Sequence, residues 1–383
     1  MPGVSRHTGD MDGVTQAPSD EESQPRRSRR RPRRVVWLLV GLALIVVFLG
    51  PVWTRIRAAA VLADALELPV VRPFAAEVER RPTMAGGVEG DRYDPLPEPT
   101  RPPMVLVPGA TPAGREDPRV IRLAEAMART KMTVFVPELE VYAQDLVRQD
   151  VDDIAAAAAA LAAEQDQPVV LFGTSFGGSL CLLAAADPRL EGQVGQVGSF
   201  GGYFDLLGVV QAATTGYSLI GDERIPWPAD PRAEEIVTDR LLGLLDPALR
   251  PAIRGTLAGR RDPATLPETG RAVVELLHND DPARTYPLSG VLPRELLDRI
   301  AEVSPASVAQ DLDVEVVAMH AVDDPVLPYG ELLRLGDHLP DARLITVTSF
   351  EHVDFQDWSI GDTPGIIADL WRVWGFATDL LHS

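Results

Sequence analysis

Ser175 lies in the pentapeptide Gly173-Thr174-Ser175-Phe176-Gly177. A serine hydroxyl is a weak nucleophile on its own and needs a base held in place by a third group. The setting of this serine is what makes it a candidate. The apolar run Pro168-Val169-Val170-Leu171-Phe172 precedes it, and Ser179 to Ala186 reads as a helix. A strand that passes into a helix through G-x-S-x-G carries its serine on a sharp turn with the hydroxyl exposed. The two glycines suit that turn, because side chains there would meet the neighbouring strand and helix. The residues therefore predict a nucleophilic serine.

The elements that must position it follow a regular order. Ala76–Met84 and Val88–Tyr93 are expected to pair as a hairpin around Ala85-Gly86-Gly87. Met104–Val107, Met132–Val136, Val169–Phe172, Val194–Phe200, Val314–Met319 and Leu344–Val347 are short apolar runs and read as buried strands. Between them lie helical patterns at Asp117–Thr130, Leu146–Glu164, Gly177–Ala186, Tyr329–His338 and Pro364–Leu381. Asp117 is placed to cap the first of these, with Pro118 in its first turn. Strands that are apolar throughout, alternating with helices, predict a mostly parallel α/β sheet covered on both faces. From Asp205 to Gln310 the rhythm breaks into helical stretches (233–245, 270–277, 293–303) interrupted by proline and glycine. Residues 205–310 are expected to form a helical lid over one edge of the sheet. The core then comprises 76–204 and 311–383.

From about Ala76 to the C-terminus the chain resembles the α/β-hydrolase superfamily, whose triad runs serine, acid, histidine along the sequence. The resemblance rests on four places. The first is the turn holding Ser175. The second is Val107-Pro108-Gly109-Ala110-Thr111-Pro112, at the end of the first parallel strand. In the superfamily the loop here donates one backbone N–H to the oxyanion, and the residue after the nucleophile, Phe176, donates the other. Ala110 or Thr111 would be the loop donor. Pro112 has no N–H to give. The sequence has Pro108 where the superfamily often has a His-Gly start, which a backbone donor tolerates. The third place is His320-Ala321-Val322-Asp323-Asp324-Pro325. It resembles the acid loop, with Asp324 matching the acid and Asp323 beside it. A rarer arrangement would put the acid one strand earlier, at Asp205. The fourth is Ser349-Phe350-Glu351-His352, after the last strand, where the superfamily keeps its base. Of the six histidines, His352 has the matching position and order. His320 reads as a strand-end residue.

The resemblance implies acyl transfer on a carboxylic ester or similar acyl compound, without a cofactor. Acyl transfer to an alcohol, peptidase action and a silent binding module are the alternatives. Trp227 and Tyr217 would line an apolar pocket under the lid. No cysteine or histidine cluster has metal-ligand spacing. The lone cysteine, Cys181, excludes an internal disulfide and reads as buried.

The net charge of −20, with the arginines concentrated near the start, leaves an acidic body. That argues against nucleic acid as a partner. No obligate protein partner is evident. Residues 1–34 read as a disordered tail ending in the cluster Arg26–Arg34. Residues 35–53 carry no charge and nearly span a bilayer core of roughly 30 Å at helical rise. Trp37 and Trp53 flank the run where aromatic belts sit, and the arginines in front of it predict a cytoplasmic tail and an outer catalytic domain. Residues 54–75 are expected to form a short helical or irregular stem. Small residues at 58–60 and 63–65 leave a cleaved signal and a secreted product as the competing reading.

Overall fold

The computed structural model describes residues 53–61, 63, 76–143, 147–348 and 363–382. The predicted span 35–53 lies outside these residues except for Trp53. Among the described residues no helix is long and apolar enough to cross a membrane.

Residues 53–61 are helical (α1). Two antiparallel strands follow, β1 (Glu77–Ala85) and β2 (Val88–Leu96). Gly86 and Gly87 both have positive φ, at 60° and 86°. That is the backbone of a two-residue hairpin turn whose twist matches its strands. β2 runs three residues beyond the expected Tyr93.

The parallel strands are β3 (Met104–Val107), β4 (Val134–Pro137), β5 (Val169–Thr174), β6 (Val194–Phe200), β9 (Glu315–Ala321) and β10 (Arg343–Val347). They join the hairpin in one sheet of order β1-β2-β4-β3-β5-β6-β9-β10. β2 meets β4 antiparallel, and every later pairing is parallel.

Alternate residues of each strand serve the two faces of the sheet. Val105, Val107, Val169 and Leu171 face a core shared with α3 (Arg148–Gln165), α4 (Phe176–Ala185) and α11 (Gly330–His338). Met104, Leu106, Val170 and Phe172 face a second core, closed by α1, α2 (Pro118–Ala128) and α12 (Thr363–Leu380). α2 begins as its sequence predicts, with Asp117 accepting from the Arg119 N–H and Pro118 at the first helical position. Cys181 is fully buried in α4, and burial pushes its thiol up.

Between β6 and β9 lie α5 (Leu206–Thr215), α6 (Pro231–Gly243), α7 (Arg250–Leu257), α8 (Glu268–Leu277), α9 (Thr285–Ser289) and α10 (Arg294–Glu302). They are joined by a hairpin that the sequence did not predict, β7 (Tyr217–Ile220) with β8 (Glu223–Pro226). The two ends of this excursion are stitched together. Tyr203 Oη donates to the Val303 carbonyl (2.5 Å), Leu206 N–H to Ser304 Oγ (3.1 Å), and Ala306 N–H to the Phe204 carbonyl (3.0 Å).

Candidate active site

The turn after β5 is strained at one residue. Ser175 has φ 52° and ψ −134°, a region that side-chain-bearing residues seldom occupy. Such a conformation costs about 1–3 kcal/mol and persists only where its surroundings enforce it. Here the enforcement is visible. Ser175 N–H donates to the Phe200 carbonyl at the end of β6 (2.7 Å), and Gly178 N–H returns to the Ser175 carbonyl (2.9 Å).

The glycines of the pentapeptide are sites of close approach. A Cβ on Gly173 would overlap the Gly177 carbonyl, and one on Gly177 would overlap the Val107 carbonyl of β3. The first turn of α4 is thus pressed directly onto the end of two strands. The loop after β3 meets the serine itself. A Cβ on Gly109 would stand 2.6 Å from Ser175 Cβ and 3.1 Å from its Oγ. The backbone leading to Ala110 therefore runs against the hydroxyl. Ala110 is half-buried, whereas Thr111 is buried and donates its hydroxyl to Asp117 (2.7 Å). Arg119, helped by that hydroxyl, holds the Asp117 carboxyl well below the usual carboxylate range.

Phe176 opens α4 and is 4% exposed. Its ring packs edge-on against Tyr203 (5.6 Å between centroids), and the Arg240 guanidinium lies 5.4 Å from its centre. Arg240 is a buried residue of α6, so the excursion between β6 and β9 reaches the residue that follows Ser175.

The loop after β9 separates the two neighbouring aspartates. Asp323 is exposed and Asp324 is 1% exposed. Asp324 Oδ1 accepts from the N–H groups of Val326 (2.8 Å) and Leu327 (3.0 Å). These bonds fold the loop around the carboxylate, and the N-terminus of α11 carries no side-chain cap from either aspartate. Trp227 Nε1 donates to the Asp324 carbonyl at 2.8 Å. Trp227 is buried in a small cluster with Ala212 and Ala233, whereas Tyr217, expected beside it, is 41% exposed.

His320 is buried in β9. Its Nε2 lies 3.1 Å from the Leu327 carbonyl and 3.4 Å from Asp324 Oδ2. A carbonyl only accepts, so Nε2 carries the proton, and the ring braces the loop that holds Asp324. Asp205 is occupied elsewhere. It caps α5 through Leu207 N–H (3.0 Å) and accepts from Tyr286 Oη (2.6 Å). His352 lies outside the described residues.

Ser175, Gly109 and Asp324 all follow strands of the parallel part of the sheet, at its C-terminal end, where open α/β sheets place their ligands. A mostly parallel sheet covered on both faces, with a strand–serine–helix turn, fits the α/β-hydrolase architecture that the sequence resembles.

No protein-family model and no curated protein matches the chain. Solved structures with a similar course of chain include a hormone-sensitive lipase from a metagenome library. It has 13% identity and a TM-score of 0.45, over 79% of this chain and 84% of that one. A Mycobacterium tuberculosis puromycin-hydrolyzing peptidase has 18% identity and a TM-score of 0.47, over 82% of this chain and 41% of that one. A variant of a meta-cleavage product hydrolase has 18% identity and a TM-score of 0.41, over 78% and 98%. The chain thus spans about two fifths of the length of the peptidase.

Among the described residues no group of histidines, cysteines and carboxylates has the makings of a metal site. Two features of the site carry no local sequence signal: Arg240 on Phe176 and Trp227 on Asp324. They join residues 64 and 97 apart in the chain.

Proposed function

We propose that the chain is a serine hydrolase in which Ser175 attacks the carbonyl of a carboxylic ester or similar acyl substrate. The observation that carries this reading is the strained backbone of Ser175, held with its hydroxyl against the loop at Gly109. That loop leads to Ala110, whose N–H would bind the oxyanion together with the N–H of Phe176. Each such donor is typically worth about 100- to 1000-fold in rate. His352 would take the proton from Ser175 Oγ as the new C–O bond forms and return it to the leaving group. Asp324 would stabilise the imidazolium. Water, activated by the same histidine, then frees the acyl group and restores the Ser175 hydroxyl. No cofactor enters these steps.

Residues 35–53 would anchor the enzyme as a single-pass membrane protein, with the N-terminus cytoplasmic and the catalytic domain outside. Excursion residues such as Trp227 and Arg240 would shape the acyl pocket. A fluorophosphonate probe on the full chain tests the chemistry. Wild type should label and Ser175→Ala should not. An unlabelled wild type would make the chain a silent binding module. Turnover of p-nitrophenyl esters of graded length against the matching anilides and alcohol acceptors separates ester hydrolysis from peptidase action and acyl transfer.

A further inference from the structure

Two helices on one side of the sheet leave aromatic and aliphatic side chains in solvent. α12 buries Val373, Phe376, Ala377 and Leu380 against the strands. On its other side Ile367 is 53% and Trp371 63% exposed. α1 buries Ala58 and Val61 in the same core and leaves Trp53 55% and Ile56 51% exposed. The helices touch at this face. Trp371 stacks edge-on against Trp374 (4.7 Å between centroids), and Trp374 Nε1 donates to the Arg55 carbonyl of α1 at 2.8 Å. Four of the ten large apolar side chains exposed among the described residues fall on these two helices. Exposed Arg55 and Arg372 border them. Tryptophan with aliphatic side chains, rimmed by arginine, is the composition that settles where lipid headgroups meet hydrocarbon.

Chain connectivity selects the occupant of this face. The uncharged run 35–52 ends immediately before Trp53. On the anchor reading of that run, Trp53 follows the span directly in the chain, and connectivity alone would keep Trp53 and Ile56 near the membrane surface. Trp374 then ties Trp371 to the same level. We propose that the α1–α12 face, with Trp53, Ile56, Ile367 and Trp371, lies in the interfacial layer of the bilayer. The proposal rests on the anchor reading of residues 35–53.

It also sets where the site stands. Asp369, between Ile367 and Trp371, accepts from the Thr348 N–H (2.7 Å), one residue past β10. That is the end of the sheet that carries Ser175 and Asp324. On this placement the end of the sheet that carries Ser175 and Asp324 would lie toward the lipid surface, where an ester partitioned into the membrane is concentrated.

Nitroxide labels on the full chain, reconstituted in phosphatidylcholine vesicles with one quarter phosphatidylglycerol, test this. Labels at Trp371→Cys and Ile367→Cys should collide with oxygen several-fold more than with a water-soluble nickel chelate. A label at Val291→Cys, 65% exposed in the excursion between β6 and β9, should show the reverse preference. Equal behaviour at 371 and 291, in protein that survives a carbonate wash of the vesicles, overturns the docking face and leaves the anchor standing. Release by the wash overturns both. As a check free of cysteine variants, lipids brominated near the headgroup should quench wild-type tryptophan fluorescence more than that of Trp371→Phe. Identical quenching counts against the proposal.

Discussion

The indole N–H of Trp227 donates to the main-chain carbonyl of Asp324, so the excursion between β6 and β9 holds the backbone of the proposed triad acid. Both residues are buried. Trp227→Phe keeps most of the packing and removes that hydrogen bond. A typical buried hydrogen bond contributes about 0.5–1.5 kcal/mol. Denaturant titration should show a loss of that size. Ester turnover should fall about tenfold or more, since displacement of a catalytic group by about 1 Å can cost roughly 100-fold. Unchanged turnover would mean that Trp227 only packs.

The strain at Ser175 predicts different stabilities for two inactive variants. Ser175→Ala keeps a Cβ in the same backbone conformation and should leave stability close to wild type. Ser175→Gly removes the steric cost of about 1–3 kcal/mol, offset by the larger backbone entropy of glycine, about 0.5–1 kcal/mol. The glycine variant should therefore melt higher than the alanine variant, by the equivalent of about 1 kcal/mol. Both should lose ester turnover.

The contrast between Asp323 and Asp324 is directly measurable. Asp324→Asn should lower kcat by a factor on the order of 10⁴, as expected when a triad carboxylate becomes an amide. Asp323 faces solvent, and Asp323→Asn should stay within about threefold of wild type. The reverse ranking would move the acid to Asp323.

Asp150 predicts a pH dependence of stability far from the site. Burial pushes its carboxyl up to about 6, although the N–H groups of Glu140 and Val141 (2.8 Å each) favour the charged form. The unfolded value is close to 4. Between about 4 and 6 the folded chain therefore binds more protons than the unfolded one. Stability from this group is complete below about 4, falls as pH rises to about 6, and is level above. Two pKa units correspond to roughly 2–3 kcal/mol. Urea midpoints for wild type should decline across that window, and Asp150→Asn should remove this part of the slope.

The parts legible in the sequence are those with local causes. Gly173 and Gly177 announce the turn because a Cβ at either would strike backbone only a few residues or one strand away. Asp117-Pro118 announces α2 because cap and first turn are adjacent in the chain. Apolar runs announce the parallel strands because both faces of the sheet are covered. The β7–β8 hairpin escaped because its strands have four residues each and Pro226, Trp227 and Pro228 obscure the pattern. Buried Glu331 gave no signal either. It accepts from the N–H groups of Phe204 (3.0 Å) and Asp205 (2.7 Å), more than a hundred residues earlier, and burial pushes its carboxyl up. Asp205, readable as an alternative acid, serves that junction as a helix cap.

The stitch between residues 203–206 and 303–306 has an evolutionary consequence. The chain leaves the sheet and comes back at points one hydrogen bond apart, so about a hundred residues hang from the core as a closed loop. Such a loop can lengthen, shrink or be traded between relatives without re-registering a single strand. Descendants of this scaffold would then diverge in diet through that segment while inheriting the serine turn unchanged.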